Sequence, residues 1–301
     1  MGNSVLIVGF GRMGLSHAVQ LKAVLPASSQ FHVVDPSRLS RIIARAAIRG
    51  AKAYPSLDKC RQANAQWGFD LAVICSPPFD RLSDVSTVGD MANYILIEKP
   101  VIAALPTNAM SGYVMQHCPI LEHVAKHLDS LPNRIVVECQ SNLDFTTKSG
   151  GWRSSIRSPL ANEFFGHSAT FALAPMVLAG HTLSAFQLRN IRESAQNFLE
   201  VECEVNGIEV LVRLAGGQPV RKTLYRTTYV HAHHSITFDP YTSTTSDIET
   251  SIVSVTDLQF SVGFFLRGFE FARQADRFVS KKGDILSHCL ITEIEQVITR
   301  I

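Results

Sequence analysis

The chain has no large excess of either charge: 28 Lys and Arg stand against 26 Asp and Glu, a formal net of +2. Without a basic surplus there is little to neutralise a nucleic-acid backbone or an acidic membrane surface, so neither partner is expected. It also lacks any C-x-x-C pair. Its six cysteines, Cys60, Cys75, Cys118, Cys139, Cys203 and Cys289, are scattered and read as reduced, mostly buried thiols. No apolar run reaches the roughly 18 residues that a membrane helix needs. The first apolar run is too short for a secretory leader and flows straight into a glycine turn. No internal repeat and no low-complexity linker interrupts the chain. These absences leave the expectation of a soluble, cytoplasmic protein. Its 301 residues, 46% of them hydrophobic, suffice for two domains with their own cores.

The most informative stretch is SVLIVGFGRMG at residues 4–14. Residues 5–8 read as a buried parallel strand, and helical spacing resumes over residues 15–25. Between them stand Gly9, Phe10, Gly11, Arg12, Met13 and Gly14, a G-x-G-x-x-G turn. Strand, glycine turn and helix, in that order, seat a dinucleotide pyrophosphate on a helix N-terminus. Gly9 permits the tight turn, Gly11 lets the backbone approach phosphate, and Gly14 lets helix pack against strand. Asp35 lies 21 residues past Gly14 and closes a second apolar run, residues 31–34. A carboxylate there accepts hydrogen bonds from the ribose hydroxyls of an adenosine. The pattern points to a nicotinamide dinucleotide site. Asp35 favours NAD by repelling a 2′-phosphate, while the neighbouring Ser37 and Arg38 leave NADP open.

The first domain continues as alternating strands and helices. Residues 36–49 predict a helix capped by Ser37, with Leu39, Ile42, Ile43 and Ala46 on one face. A short strand at 51–54, a helix at 56–65, and strands at 69–75 and 94–97 follow. The run at 69–75 lacks alternation, so it reads as buried on both faces. This order predicts a doubly wound parallel sheet with its ligand crevice at the carboxyl ends of the strands. Gly9–Gly14, Asp35, Cys75, Ser76, Pro77, Glu98 and Lys99 all fall at those ends. Pro100 biases Lys99 away from helix, which aims its ammonium outward from a buried strand. The residues alone leave two readings of Lys99 open, a crevice group beside the cofactor or a surface lysine after an edge strand.

Residues 9–14 followed by His17, VVDPS at 33–37, LAVICSPP at 71–78 and ILIEKPV at 95–101 together resemble the Gfo/Idh/MocA (glucose-fructose oxidoreductase/inositol dehydrogenase) family of NAD(P)-dependent oxidoreductases. The resemblance implies that Lys99 touches both cofactor and substrate, and that its bond to Pro100 is often cis. It also implies a dimer or tetramer paired through the second-domain sheet. The chain departs from the family in places. Phe79, Asp80 and Arg81 stand where the family usually has a histidine a few residues after its T/S-P. Only about ten residues replace the helix that usually follows E-K-P. That shortening predicts a thinner outer layer on the sheet, covered by a partner subunit. The closing strand of the domain is expected at 111–115.

The domains are expected at 1–117, dinucleotide-binding, and 118–301, a substrate-binding and oligomerising α+β domain. In the second, residues 119–131 read as a crossing helix with Leu121, Val124, Ala125 and Leu128 on one face, and 134–140 as a strand. Asn206-Gly207 between LEVECEV and IEVLVRL is a strong hairpin signal. Further strands at 222–237 and 252–258 predict a large, mainly antiparallel open sheet. Helices at 262–278 and 285–298 complete the core, and 242–247 is a polar loop. Residues 169–178 contain Pro175 and read as a kinked core helix.

Glu163 and His167 sit four apart on a helix predicted from Pro159, and so share a face. An imidazole oriented by a carboxylate suits proton transfer at neutral pH. In the family a D-x-x-x-H sequence occurs here, after a W-R pair. The resemblance therefore places Glu163 and His167 in the aspartate and histidine roles, with Trp152 and Arg153 lining the substrate pocket. The usual glycine triplet is replaced by residues 158–162, and an aspartate three after the histidine by Thr170. His231, His233 and His234 have no nearby carboxylate or cysteine, so no metal is expected.

The resulting expectation is an oxidoreductase that passes a hydride between nicotinamide and a secondary alcohol or ketone of a sugar, sugar nucleotide or cyclic polyol. The catalytic residues would be Lys99, His167 and Glu163. The alternatives are an imine reductase on the same scaffold and a non-catalytic NAD(P)-binding sensor.

Overall fold

The computed structural model describes residues 2–64, 68–101, 105–143, 158, 160–195, 197–220, 224–239, 244–247, 253–254 and 266–301. They form two compact units, Met1–Gly112 with Phe271–Asp284, and Tyr113–Glu270 with Ile285–Ile301.

The first unit is a parallel sheet of β1 (Ser4–Val8), β2 (Gln30–Val34), β3 (Lys52–Tyr54), β4 (Leu71–Ile74), β5 (Ile95–Ile97) and β6 (Ala109–Ser111), in the order β3-β2-β1-β4-β5-β6. The strand order reverses beside β1, which makes the carboxyl ends of β1 and β4 a crevice. Val5, Leu6 and Ile7 of β1 and all of β4 are buried, as a strand covered on both faces requires. Helices α1 (Arg12–Val24), α2 (Arg38–Ala47), α3 (Leu57–Ala63) and α4 (Pro78–Gly89) make the crossovers. Ser37 and Ser56 cap α2 and α3 by accepting the N–H groups of Ser40 and Lys59.

Three expectations for this unit change. The face of α2 read as apolar points outward: Leu39, Ile42 and Ile43 are 66%, 51% and 41% exposed. The small Ala44 meets the core instead, with Ile48 just past the helix end. Periodicity reveals a stripe but not which side the sheet lies on. The last strand is Ala109–Ser111, and Val114–His117 is a 3₁₀ turn, so the strand overlaps the predicted stretch only at Ser111. Part of the sheet's cover comes from later in the chain itself. Ala275 and Phe278 of α7 (Leu266–Val279) join the same core as Tyr94, Leu96 and Met110. Ser111 donates from its N–H and hydroxyl to the Asp284 carboxylate at 2.8 and 2.9 Å. The units therefore divide differently from the expected 1–117 and 118–301, because residues 271–284 return to the first.

The second unit carries a sheet of β7 (Arg134–Gln140), β8 (Gln187–Ala195), β9 (Phe198–Val205), β10 (Ile208–Ala215), β11 (Leu224–Val230), β12 (Ser235–Asp239), β13 (Thr244–Asp247) and β14 (Val253–Ser254), in the order β14-β13-β12-β11-β7-β10-β9-β8. Every pairing is antiparallel except β7 with β10. Asn206 and Gly207, at φ +51° and +80°, make the tight turn that sets Val205 opposite Ile208. Stretch 244–247 is thus a polar strand beside β12, rather than a loop.

Helix α6 (Gly166–Leu178) is buried from Ser168 to Met176 and contains Pro175, and the Tyr229 hydroxyl donates to its Ala172 carbonyl at 2.6 Å. Helices α5 (Ile120–Ala125) and α8 (His288–Arg300) pack against α6. The crossing helix at α5 is shorter than predicted, yet Leu121, Val124 and Leu128 are buried as expected. His231 and His234 lie in the β11–β12 turn, not along a strand, with rings stacked at 4.4 Å. Among the described residues no helix is long and apolar enough to cross a membrane.

His32 on β2 has its pKa lowered to about 4, first by burial and then by the charge of Lys52. Its ring stacks on Tyr54 at 6.0 Å and meets Phe69 edge-on at 5.1 Å. Asn64 donates to the Tyr54 hydroxyl at 3.2 Å, which leaves that hydroxyl to donate to His32 Nδ1 at 3.3 Å. Protonation would turn this acceptor into a donor. The unfolded chain takes up the proton near pH 6.5 and the folded chain only near 4. Stability is therefore full above pH 6.5 and falls as pH drops toward 4. Denaturant titrations of wild type and His32→Gln should show about 2 kcal/mol less of this fall in the variant. Parallel pH profiles would contradict the assignment.

Candidate dinucleotide site and strand-end network

Gly9 leaves β1 at φ +84°, a conformation that favours glycine. A Cβ on Gly9 would lie 2.8 Å from the Cys75 carbonyl carbon, and one on Gly14 only 2.1 Å from the Gly9 carbonyl oxygen. Both positions are closed by backbone. Gly11 differs, since a Cβ there would meet nothing within 4 Å. It stands at the start of α1, with no side-chain cap and no acidic residue in the first turn. The N–H groups of that turn lack intrahelical partners, and the open space beside Gly11 is where an anion would be held. These residues fit a dinucleotide pyrophosphate.

Asp35 is placed where predicted, at the end of β2, but its carboxylate is already engaged. One oxygen accepts the Phe10 N–H at 2.7 Å and the other the Ser37 N–H at 2.8 Å. Each oxygen keeps a lone pair for a ribose hydroxyl. Asp35 thus also staples the glycine loop to the neighbouring strand. Arg41 donates to the carbonyls of Asp35 and Pro36, both at 2.7 Å, while Ser37 and Arg38 lie exposed beside it. Arg12 is exposed at the helix start and Met13 half-buried.

The ends of β4 and β5 form a second network. Cys75 donates its N–H to Val8 at 2.7 Å. Burial first, then the charge of Glu98, push its thiol well above the usual range, so Cys75 lines the crevice as an inert thiol. Pro77 and Pro78 turn the chain into α4. The Glu98 side chain is buried and accepts the His17 Nε2–H at 2.6 Å. Burial pushes the Glu98 carboxyl up, but the His17 hydrogen bond and the charges of His17, Lys99 and Arg81 outweigh it and hold the pKa below the ordinary value. Lys99 is half-buried, its N–H donates to Glu98 Oε2 at 3.2 Å, and its bond to Pro100 is cis.

Sequence reasoning missed Arg81 as a functional residue. It is 4% exposed, and its guanidinium donates to the carbonyls of Ser76 at 2.7 Å, Glu98 at 2.5 Å and Pro100. A cation in the first turns of a helix opposes the helix dipole, and that was the available signal. Removing Arg81 would leave buried carbonyls without this donor, at about 1–3 kcal/mol for each one left unpaired.

In the second unit, the regular helix predicted from Pro159 is instead a π turn, Ala161–Phe165, that leads into α6. Just before it, the Ser158 hydroxyl accepts the Ala161 N–H at 3.4 Å. Such turns occur often at functional positions. Glu163 and His167 are both half-buried there. His167 meets the Tyr113 ring edge-on at 5.6 Å, and the Tyr113 hydroxyl donates to the buried Glu295 carboxylate. Gly166 makes room for this tyrosine, since a Cβ would lie 2.3–2.5 Å from it. Thr170, where the family has an aspartate, is buried and donates back to the Gly166 carbonyl at 2.8 Å. Trp152 and Arg153 lie outside the described residues. Lys99 belongs to the first unit, and Glu163 and His167 to the second.

No protein-family model and no curated protein sequence matches the chain. Solved structures do. UDP-N-acetylglucosamine 3-dehydrogenase GnnA from Acidithiobacillus ferrooxidans aligns with a TM-score of 0.72 at 14% identity, over 100% of this chain and 96% of that one. The chain shares that dehydrogenase's two-domain fold. A myo-inositol dehydrogenase from Corynebacterium glutamicum gives 0.67 at 14% identity, over 100% and 96%. An oxidoreductase from Agrobacterium radiobacter, in complex with NAD+, L-tartaric acid and magnesium, gives 0.69 at 12%, over 99% and 95%. At these identities the likeness is one of fold.

The glycine loop yields a paired test. Gly11→Ala should melt within about 0.5 kcal/mol of wild type, yet lose dinucleotide affinity about 100-fold or more by fluorescence titration of NADH, because its methyl fills the anion seat. Gly14→Ala should lose both stability and binding. A Gly11→Ala protein that binds NADH normally would refute the placement.

Proposed function

We propose that the chain is an NAD(P)-dependent oxidoreductase that moves a hydride between nicotinamide and a secondary alcohol or ketone of a sugar, sugar nucleotide or cyclic polyol. The observation that carries this reading is the glycine loop, closed by backbone at Gly9 and Gly14 and open at Gly11, with Asp35 stapled beside it. The names of the structurally similar dehydrogenases support the substrate class. The carboxylate of Asp35 supports NAD over NADP.

When bound, the cofactor supplies the hydride chemistry. The chain's own residues bind, orient and handle the proton. Lys99, held at the carboxyl end of β5, hydrogen-bonds the substrate oxygen at which the proton leaves or joins. His167, seated against Tyr113, exchanges that proton, and Glu163 orients the imidazole. Trp152 and Arg153 are assigned to the substrate pocket from the family resemblance alone.

A homodimer or homotetramer through the second unit's sheet is proposed as well. Its support is a sheet face bearing Arg134–Glu209, Arg189–Glu204 and Arg213–Glu200 pairs at 3.0, 2.8 and 2.8 Å, which offers both signs to a second copy. A monomer by light scattering would remove this part alone.

The test of the activity is the reduced-nicotinamide absorbance with a panel of sugar nucleotides and cyclic polyols. Lys99→Ala should lower turnover about 10²–10⁴-fold and leave NADH affinity nearly intact. Unchanged turnover would remove Lys99 from the mechanism. Tight NADH binding with no absorbance change on any substrate would leave a sensor in place of an enzyme.

A further inference from the structure

We infer that Arg81, one of the three residues standing where the resembling family usually has a histidine, is a positioning residue for Lys99. The inference rests on the proposed role of Lys99. Lys99 is flanked by Glu98 and Pro100, and the carbonyls of both accept from the same atom, Arg81 Nη1. Nη2 of the same planar group donates to Ser76 at the end of the neighbouring β4. One guanidinium thus ties the backbone on either side of Lys99 to the adjoining strand end. The Glu98 side chain is fixed separately by His17 and receives the Lys99 N–H. With backbone held before and after it, the Lys99 side chain leaves the sheet in a set direction.

The choice of arginine follows from the acceptors. Three carbonyls from two strand ends converge on one buried point, and a neutral imidazole donates only one N–H. A guanidinium offers five donors in a rigid plane, and a lysine ammonium has neither that span nor that plane. Burial keeps Arg81 from reaching substrate itself, so its effect passes through the Lys99 backbone. Misplacing a reacting group by an ångström costs about 100-fold in rate.

The test uses full-length wild type, Arg81→Lys and Arg81→Gln, with the exposed neighbour Leu82→Ala as control. Each is pulsed with acetic anhydride, and Lys99 acetylation is read by mass spectrometry against the exposed Lys22. NADH affinity and turnover are measured on the same samples. For Arg81→Gln, Lys99 labelling should change about fivefold or more and turnover fall about 100-fold, with NADH affinity within about threefold of wild type. Arg81→Lys should fall between, and Leu82→Ala should match wild type. Lys99 labelling equal to wild type in a folded Arg81 variant would overturn the inference. So would loss of NADH affinity in step with turnover, or failure of both variants to fold, since Arg81 would then be holding the domain together rather than aiming Lys99. Labelling requires no turnover, so an inactive wild type would defeat the proposed function while the Arg81 result still stands or falls on its own.

Discussion

The Cα of Gly14 lies so close to the Gly9 carbonyl that no side chain fits between helix α1 and the end of β1. This backbone contact fixes where the helix begins, and therefore where its partnerless N–H groups stand. Gly9 enables it by leaving the strand in a left-handed conformation, and Asp35 secures it by holding the Phe10 N–H from the next strand. The dinucleotide reading depends on this geometry, because it assigns phosphate recognition to backbone position rather than to a cationic side chain.

Around that contact, charge is buried under strict pairing. Glu98 is a buried carboxylate that stays ionised because His17 donates to it and the positive charges of Lys99 and Arg81 stand near. Arg81 in turn is satisfied by carbonyls instead of a carboxylate. Neither arrangement is cheap in isolation. Together they tie the ends of β4 and β5 to one another. The second unit has a buried chain of contacts of its own: Gly166 admits Tyr113, Tyr113 donates to Glu295, and His167 rests on the tyrosine's ring.

The parts of this site that were legible in the sequence are those set by local chemistry. The glycine loop, the acid at the end of β2 and the Asn206–Gly207 turn each follow from what a few adjacent residues permit. What was not legible depended on distant chain. The outward face of α2 could not be read from its stripe, because Leu39 and Ile42 have the same spacing whichever side the sheet occupies. The return of Phe271–Asp284 to the first unit depends on Tyr94, Met110 and Ser111, far away in sequence. The place of Arg81 depends on carbonyls that converge on it, and those of Glu98 and Pro100 lie 17 and 19 residues away. The π turn before His167 has no signature in single-residue propensities.

The central claim is that a nicotinamide dinucleotide lies with its pyrophosphate on the first turn of α1. Amide ¹H–¹⁵N shifts followed during NADH titration test it most directly. The account predicts the largest perturbations at the Gly11, Arg12 and Met13 amides. Saturation with NADH that leaves those three resonances unmoved would contradict it.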